Sequence, residues 1–283
     1  MRQFIKSIAY SSKTIRVLER LEEDLPYLRQ WHRMQYQRHF EKALKWERIF
    51  SGVYPDFRTA QSHIPKNLLV GYDNPETATF LGRKCQLLPS EYPVLFWLSR
   101  LFQDNHSIFD FGGYIGILYN TYRQFNIYPQ NLQWTVYDVP AVIAAGQQIL
   151  DNDPDPSLKF TCDVADAASA SILLAAGSLQ YSEPSIAEIL SGLRQMPEHL
   201  LINKLPTTKL PSFFTLQNMG PAVSPYKVVR RIEFVQSLET LGYRLIDGWK
   251  NPDLSCYIPF HPDHAVEEFD GFYFARQVSA LAL

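Results

Sequence analysis

Cysteine is scarce in this chain, with only Cys85, Cys162 and Cys256 among 283 residues. The three lie far apart in the sequence, so no pair has metal-ligand spacing, and an odd number argues against a disulfide framework. Long apolar runs are lacking too, since no stretch approaches the roughly 18 residues that a membrane span requires. These absences predict a cytoplasmic protein with no membrane span and no metal site.

A marked excess of charge of either sign is also missing. The formal net charge is −2, with 27 Lys and Arg residues against 29 Asp and Glu residues. That balance implies neither a nucleic acid nor an anionic membrane as a partner. Hydrophobic residues make up 46% of the chain and aromatic residues 14%. Such a chain can bury a sizeable core, either as one large domain or as a core domain with a smaller appendage.

The first hundred residues have the pattern of a helical and irregular region. Between residues 14 and 50, leucines recur at spacings of three to four, which favours a helix, and Pro26 should split it because proline cannot donate the interior hydrogen bond. Residues 51–90 are rich in turn formers and predict irregular structure. We expect residues 1–100 to form a substrate lid or a homodimer interface, and residues 101–283 to form the main domain.

From residue 107 onward, short apolar runs alternate with longer helical segments. This alternation predicts parallel βαβ units and an open sheet that is covered on both faces. The predicted strands are 108–111, 133–138, 158–162, 171–176, 199–205, 243–249 and 271–276. The predicted helices are 115–125, 141–151, 185–196 and 231–241. No convincing helix precedes the last strand, so the seventh strand should pair antiparallel with the sixth.

The stretch "IFDFGGYIG" joins the first predicted strand to the helix that follows it. Asp110 closes the strand, while Gly112 and Gly113 permit a tight turn that a ligand can approach closely. Gly116 lets the helix pack near the strand, and the free N–H groups at the helix start favour an anion. Open parallel sheets bind ligands beyond the carboxyl ends of their strands. The turn therefore predicts a ligand site, although packing alone can also explain its glycines.

Polar residues end the next three strands as well. Asp138, 28 residues after Asp110, could accept two hydrogen bonds from a ribose diol, or it could begin the next helix. Asp163 ends the third strand, where it could accept from an adenine amino group or simply lie on the surface. The fourth strand ends in small residues that leave space for a ligand, followed by Ser178 and Gln180.

Together these segments resemble the class I S-adenosylmethionine-dependent methyltransferases over residues 107–276. "DFGGYIG" is similar to the family's D-x-G-G-G-x-G motif, with Tyr114 in place of the third glycine, and "YDVPAV" is similar to the D-L-P-x-V segment of small-molecule O-methyltransferases. The resemblance is closest to uncharacterised methyltransferases of bacterial polysaccharide and natural-product loci. It implies an α/β, Rossmann-like fold with a seven-stranded sheet, of which six strands are parallel and the seventh antiparallel, following an N-terminal helical region.

The resemblance also implies S-adenosyl-L-methionine as the cofactor and assigns residues to it. The implied cofactor contacts are Asp110, Gly112, Gly113, Tyr114, Gly116, Asp138, Asp163, Ser178 and Gln180. In this set the glycine turn, Ser178 and Gln180 would hold the methionine part, Asp138 the ribose hydroxyls and Asp163 the adenine. Tyr114 departs from the family pattern, and it would lie over the cofactor or gate it.

Methyl transfer to a hydroxyl or an ammonium group needs an aligned nucleophile and a base. His261 and His264 follow the sixth strand on the ligand side of the sheet, where they could act as the base, share a metal ion or be ordinary loop residues. The long segment after the fifth strand predicts either a loop that covers the substrate or a structured insertion that packs on the sheet. Its candidate substrate contacts are Phe213, Phe214, Gln217, Asn218 and Tyr226.

Three functions remain open from the sequence. The favoured one is transfer of a methyl group from S-adenosylmethionine to oxygen or nitrogen of a small molecule. A nicotinamide-dependent oxidoreductase would carry a G-x-G-x-x-G turn and would seldom end its first strand in aspartate just before the glycines. A non-catalytic protein that keeps the fold would explain Tyr114 at a glycine position and the missing histidine in "LQYSEP".

Overall fold

A computed structural model describes residues 26–43, 47–78, 86–125 and 128–277 of the chain. Residues 14–25 and 44–46 of the predicted helical stretch, and Cys85, lie outside these ranges. Within them, no helix combines the length and the apolar character that crossing a bilayer requires.

The described elements follow in chain order. The first are α1 (Pro26–Glu41), β1 (Ile49–Tyr54), α2 (Phe57–Ser62), α3 (Pro75–Ala78) and α4 (Tyr92–Leu101). Next come β2 (Ser107–Phe111), α5 (Ile117–Arg123), β3 (Gln133–Tyr137), α6 (Pro140–Asn152), β4 (Leu158–Thr161), β5 (Ile172–Ala176), α7 (Ile186–Ser191) and β6 (His199–Leu205). The last are β7 (Thr207–Thr208), β8 (Phe213–Asn218), β9 (Val223–Arg230), α8 (Arg231–Thr240), β10 (Tyr243–Asn251) and β11 (Phe269–Arg276).

Seven of these strands form one sheet in the order β10-β11-β6-β5-β2-β3-β4. The neighbours from β6 to β4 are parallel. β11 runs antiparallel to both β6 and β10, so β10 points the same way as the parallel strands. The sheet therefore has six parallel strands and one antiparallel strand, which confirms the predicted Rossmann-like α/β fold.

Apolar side chains cover both faces of this sheet, because successive residues of a strand point to opposite sides. On one face, Phe109 of β2 and Leu173 of β5 pack in a cluster with residues of α7 and α8. On the other face, Ile108 and Leu174 pack in a cluster with residues of α4 and α5. Burial on both faces explains why these strands are continuous apolar runs, as is usual for parallel sheets.

Four further strands form a second, smaller sheet in the order β1-β8-β9-β7. β8 and β9 are a hairpin, and β1 adds to its edge with Ile49 opposite Asn218. The segment that the sequence left open as a loop or an insertion is thus a structured hairpin. β1 was not predicted, since it lies in the stretch rich in turn formers. The small sheet joins residues that are more than 150 positions apart in the chain.

Helix α7 is shorter than the sequence predicts. It begins after Ser185, whose hydroxyl accepts from the Glu188 N–H while the Glu188 carboxylate accepts from the Ser185 N–H. This reciprocal pair is a capping box, which fixes a helix start. The helix ends at Ser191, where Gly192 follows, so the predicted last turn is absent.

Candidate functional site

A cavity of about 610 Å³ lies at the carboxyl edge of the large sheet. Its size is typical of small-molecule sites, which span roughly 300–1,000 Å³. One wall is formed by the turn after β2 and by the ends of β3 and β5, and the facing wall includes residues of the small sheet. The cavity therefore lies where parallel sheets bind ligands.

The glycine turn after β2 is packed too tightly for side chains at two positions. Gly112 has a φ of +70°, and a Cβ built on it would lie 2.3 Å from the Cβ of Ser178. A Cβ on Gly113 would lie 2.4 Å from Oδ2 of Asp110. Both glycines line the cavity. The turn therefore presents its backbone to the cavity, as the sequence analysis expected.

Tyr114 continues this turn in a left-handed conformation, with a φ of 57°. Its N–H donates to Oδ2 of Asp138 over 2.9 Å, and its hydroxyl donates to the Thr77 carbonyl oxygen over 2.5 Å. The side chain is buried and forms part of the cavity wall. Tyr114 thus connects the glycine turn to α3. These hydrogen bonds stabilise a left-handed conformation that costs a non-glycine residue about 1–2 kcal/mol.

Asp138 lines the cavity and holds the neighbouring backbone in place. Its Oδ1 accepts from the Val139 N–H over 2.8 Å, and its Oδ2 accepts from Tyr114. Burial raises its pKa to about 6, although both backbone hydrogen bonds oppose that rise. A carboxylate has about four acceptor positions, so two remain for ligand hydroxyls.

Asp110 lies beneath the turn and does not line the cavity. It is buried, and its Oδ2 accepts from Nε1 of Trp134 over 3.1 Å. Its Oδ1 has no hydrogen-bond partner among the described residues. Burial raises the pKa of Asp110 to about 7; the Trp134 bond opposes this rise and the charge of Asp138 adds to it. The buried Asp110 and the partly buried Asp138 thus both lie next to the glycine turn.

Ser178 and Gln180 lie in the loop after β5 and line the cavity. The Ser178 hydroxyl donates to the Phe111 carbonyl oxygen over 2.5 Å, which ties this loop to the end of β2. Gln180 is buried, and its Oε1 has no hydrogen-bond partner among the described residues. An unpaired buried acceptor beside a cavity is costly unless a ligand or a water donates to it.

The facing wall carries a row of tyrosines. The Tyr181 hydroxyl donates to Oε1 of Gln217 over 2.6 Å, and a further hydrogen bond links Tyr72 to Tyr181. Ring centroids are 5.0 Å apart for Tyr72 and Tyr181, and 5.3 Å apart for Tyr181 and Tyr226. Burial raises the pKa of all three tyrosines, so their hydroxyls stay neutral at physiological pH. The sequence analysis named Gln217 and Tyr226 but not Tyr72.

A buried ion pair also lines the cavity. Nζ of Lys204 lies 2.7 Å from Oε1 of Glu91, and Lys204 has a left-handed φ of 56°. Lys204 is near the end of β6, so the strand-end rule that selected Asp110 and Asp138 could have selected it too. Glu91 precedes α4 and carries no comparable sequence signal.

Several residues proposed from the sequence lie outside the cavity lining. Asp163 is exposed, and its carboxylate accepts from the Ala165 N–H over 2.9 Å at the start of a short 3₁₀ turn. Gly116, with a φ of +80°, begins α5. Asn218 is buried in the small sheet and donates to the Phe40 carbonyl oxygen. Phe214 packs edge-on against Phe57.

The two histidines lie apart from the cavity as well. The rings of His261 and His264 are 6.1 Å apart at a perpendicular angle, and His264 packs against Phe213. Across the ranges that the structure describes, no group of three His, Cys, Asp or Glu residues could hold a metal ion.

The strand order and directions of the large sheet are those of a Rossmann-like α/β fold. Among solved structures, the chain is similar to the CcbJ methyltransferase of Streptomyces caelestis, with 10% identity, 72% of this chain and 97% of that chain covered, and a TM-score of 0.47. It is also similar to the 1,6-didemethyltoxoflavin-N1-methyltransferase of Burkholderia thailandensis, with 12% identity, 67% and 79% coverage, and a TM-score of 0.45. A third is the magnesium protoporphyrin IX methyltransferase of Synechocystis PCC 6803, with 12% identity, 66% and 77% coverage, and a TM-score of 0.43. No family model and no curated protein matches the sequence.

Proposed function

We propose that the protein is an S-adenosylmethionine-dependent methyltransferase that acts on oxygen or nitrogen of a small molecule. The observation that carries this proposal is the cavity at the carboxyl edge of the large sheet. There a bare glycine turn and the carboxylate of Asp138 lie side by side, opposite a wall of a different composition. Two walls of different composition suit a site that binds two different molecules.

The residues of the first wall fit the cofactor. Gly112 and Gly113 leave room for the methionine part, because neither projects a side chain. Asp138 has acceptor positions left for the two ribose hydroxyls. The unpaired Oε1 of Gln180 can accept from a donor such as the cofactor's ammonium group.

When bound, S-adenosylmethionine would supply an electrophilic methyl group to the acceptor's lone pair, with S-adenosylhomocysteine as the leaving group and the acceptor's proton passing to solvent as the products leave. The chain's own contribution is to align the two molecules, and alignment of this kind supplies roughly 7–11 kcal/mol in favourable cases. The tyrosine wall excludes water and bounds the acceptor.

Residues from the first hundred positions take part in the facing wall. Arg48, Phe57 and Tyr72 all line the cavity, although they precede the large sheet in the chain. This supports a lid role for residues 1–100, which would complete the acceptor side of the site.

The test is calorimetric titration of the protein with S-adenosylhomocysteine. We expect the wild type to bind it and the Asp138→Asn variant to bind it roughly 100-fold more weakly, because a hydrogen bond to a charged acceptor contributes about 1.5–3 kcal/mol. The matched control is Asp151→Asn, which makes the same change at an exposed position of α6 and should leave the affinity unaltered. Absence of binding to the wild type would refute the proposed function. Equal affinities for the wild type and the Asp138→Asn variant would refute the ribose assignment.

A further inference from the structure

The charged groups that line the cavity differ in whether they already have a partner within the protein. Three acids belong to the lining, and each has a protein donor: Ala141 N–H for Asp73, the backbone N–H groups at the glycine turn and α6 for Asp138, and Lys204 for Glu91. Arg48 lines the cavity too, but within the described ranges its guanidinium makes no ion pair and no hydrogen bond. Among the residues that the structure describes, Arg48 is therefore the cation of the lining that is left for a ligand.

Arg48 lies on the acceptor side of the cavity. Its positive charge acts on Tyr72, Tyr181 and Tyr226 alike, and opposes the rise in pKa that burial causes at each of them. Arg48 and the three tyrosines line the same cavity, so one small molecule bound there can contact both the guanidinium and the tyrosine rings. Arginine is well suited to this, because its planar fork matches a carboxylate with two parallel hydrogen bonds.

Much of the rest of the facing wall is apolar or aromatic, and its polar side chains are Gln61, Gln217 and Ser224. Six lining residues have apolar side chains: Phe57, Val70, Met219, Pro225, Leu254 and Phe269. Tyrosine rings add flat faces, and the hydroxyls of Tyr72 and Tyr181 are already engaged with each other and with Gln217. Gln61 and Ser224 add a few donors and acceptors, but the apolar and aromatic residues outnumber them, so the wall favours a flat ring over a sugar.

We propose that this wall is an acceptor subsite for an aromatic molecule that carries a carboxylate, with Arg48 binding the carboxylate and the tyrosines packing on the ring. The inference rests on the proposed function, and it names the class of acceptor that this function would use. Arg48 is then a specificity-determining residue, since a neutral acceptor of the same shape lacks its partner.

The test compares two probes that differ only in the carboxylate. Protein saturated with S-adenosylhomocysteine is titrated calorimetrically with 3,4-dihydroxybenzoate and with catechol. We expect the wild type to bind the benzoate at least about tenfold more tightly, and Arg48→Gln to remove that difference while leaving catechol binding unchanged. Arg194→Gln is the control, because Arg194 is exposed and lies outside the cavity lining.

Each other outcome overturns a defined part of the reasoning. If Arg48→Gln weakens S-adenosylhomocysteine binding instead, Arg48 serves the cofactor and the acceptor subsite is refuted. If glucuronate binds as tightly as the benzoate, the aromatic class is wrong. If the wild type binds S-adenosylhomocysteine but neither probe, the acceptor class fails while the proposed function stands. If the wild type binds no S-adenosylhomocysteine, both fail together.

Discussion

Replacing Asp110 with asparagine should change how the stability of the protein depends on pH. Asp110 is buried beneath the glycine turn, with one oxygen bonded to Trp134 and the other unpaired. The Asp110→Asn variant keeps an oxygen that can accept from Nε1 of Trp134 and removes the ionisable proton. The difference in the pH dependence of stability between the wild type and this variant therefore reports the cost of ionising Asp110.

The size of the effect follows from the pKa of Asp110, which burial raises from 3.8 to about 7. Because the folded state holds the proton more tightly than the unfolded chain, the stability from this group is fully present below pH 3.8 and is lost as the pH rises through about 7. Each pKa unit corresponds to 1.36 kcal/mol, so the total is about 4 kcal/mol. About 3 kcal/mol of this contribution to stability is lost between roughly pH 5 and 8.5.

The assay is denaturant unfolding of the ligand-free protein at these two pH values. Between the lower and the higher pH, the free energy of unfolding of the wild type should fall by about 3 kcal/mol more than that of Asp110→Asn. Trp134→Phe should show a steeper loss than the wild type, because the hydrogen bond that opposes the rise in the pKa of Asp110 is gone. Parallel pH profiles for the wild type and Asp110→Asn would show that Asp110 ionises in the folded protein as freely as in water, and would refute the reasoning.

Two further predictions concern the first wall of the cavity. Gly112→Ala should abolish S-adenosylhomocysteine binding and lower the melting temperature, because the added Cβ would lie 2.3 Å from that of Ser178; Gly242→Ala, also at a positive φ but with nothing within 4 Å, should only lower the melting temperature. Equal binding by both variants in calorimetry would contradict this. S-Adenosylhomocysteine affinity should also fall as the pH drops through about 6, the pKa of Asp138, since the protonated acid is a weaker acceptor. A flat profile between roughly pH 7.5 and 5 would exclude that role for Asp138.

The large sheet was predictable from the sequence because its signals are local. Apolar runs such as those of β2, β5 and β6 end in polar or small residues, and helices of ordinary length separate most of them. The absence of a helix before β11 was enough to predict its antiparallel direction. The same strand-end rule selected Gly112, Gly113, Asp138, Ser178 and Gln180, all of which line the cavity.

The facing wall was harder to predict because it depends on contacts between distant parts of the chain. β1 has no strong strand pattern of its own and is stabilised by pairing with β8. Arg48 lies just before β1, whereas Tyr72 lies within the turn-rich stretch, close to the bridge between Val70 and Val223 of β9. Asp163 shows a different difficulty. The sequence predicted its position just after a strand, but its carboxylate caps a 3₁₀ turn at the surface and does not line the cavity.

The pairing of Ile49 with Asn218 has a consequence for how the protein can diversify. The proposed acceptor wall includes residues of β1 and of the β8–β9 hairpin, and neither segment supplies a strand of the large sheet. Substitutions in β1 or in the β8–β9 hairpin can therefore reshape one half of the cavity while the turn after β2 stays as it is. Under the proposed function, such a chain could change its acceptor while the residues that hold the methyl donor stay the same.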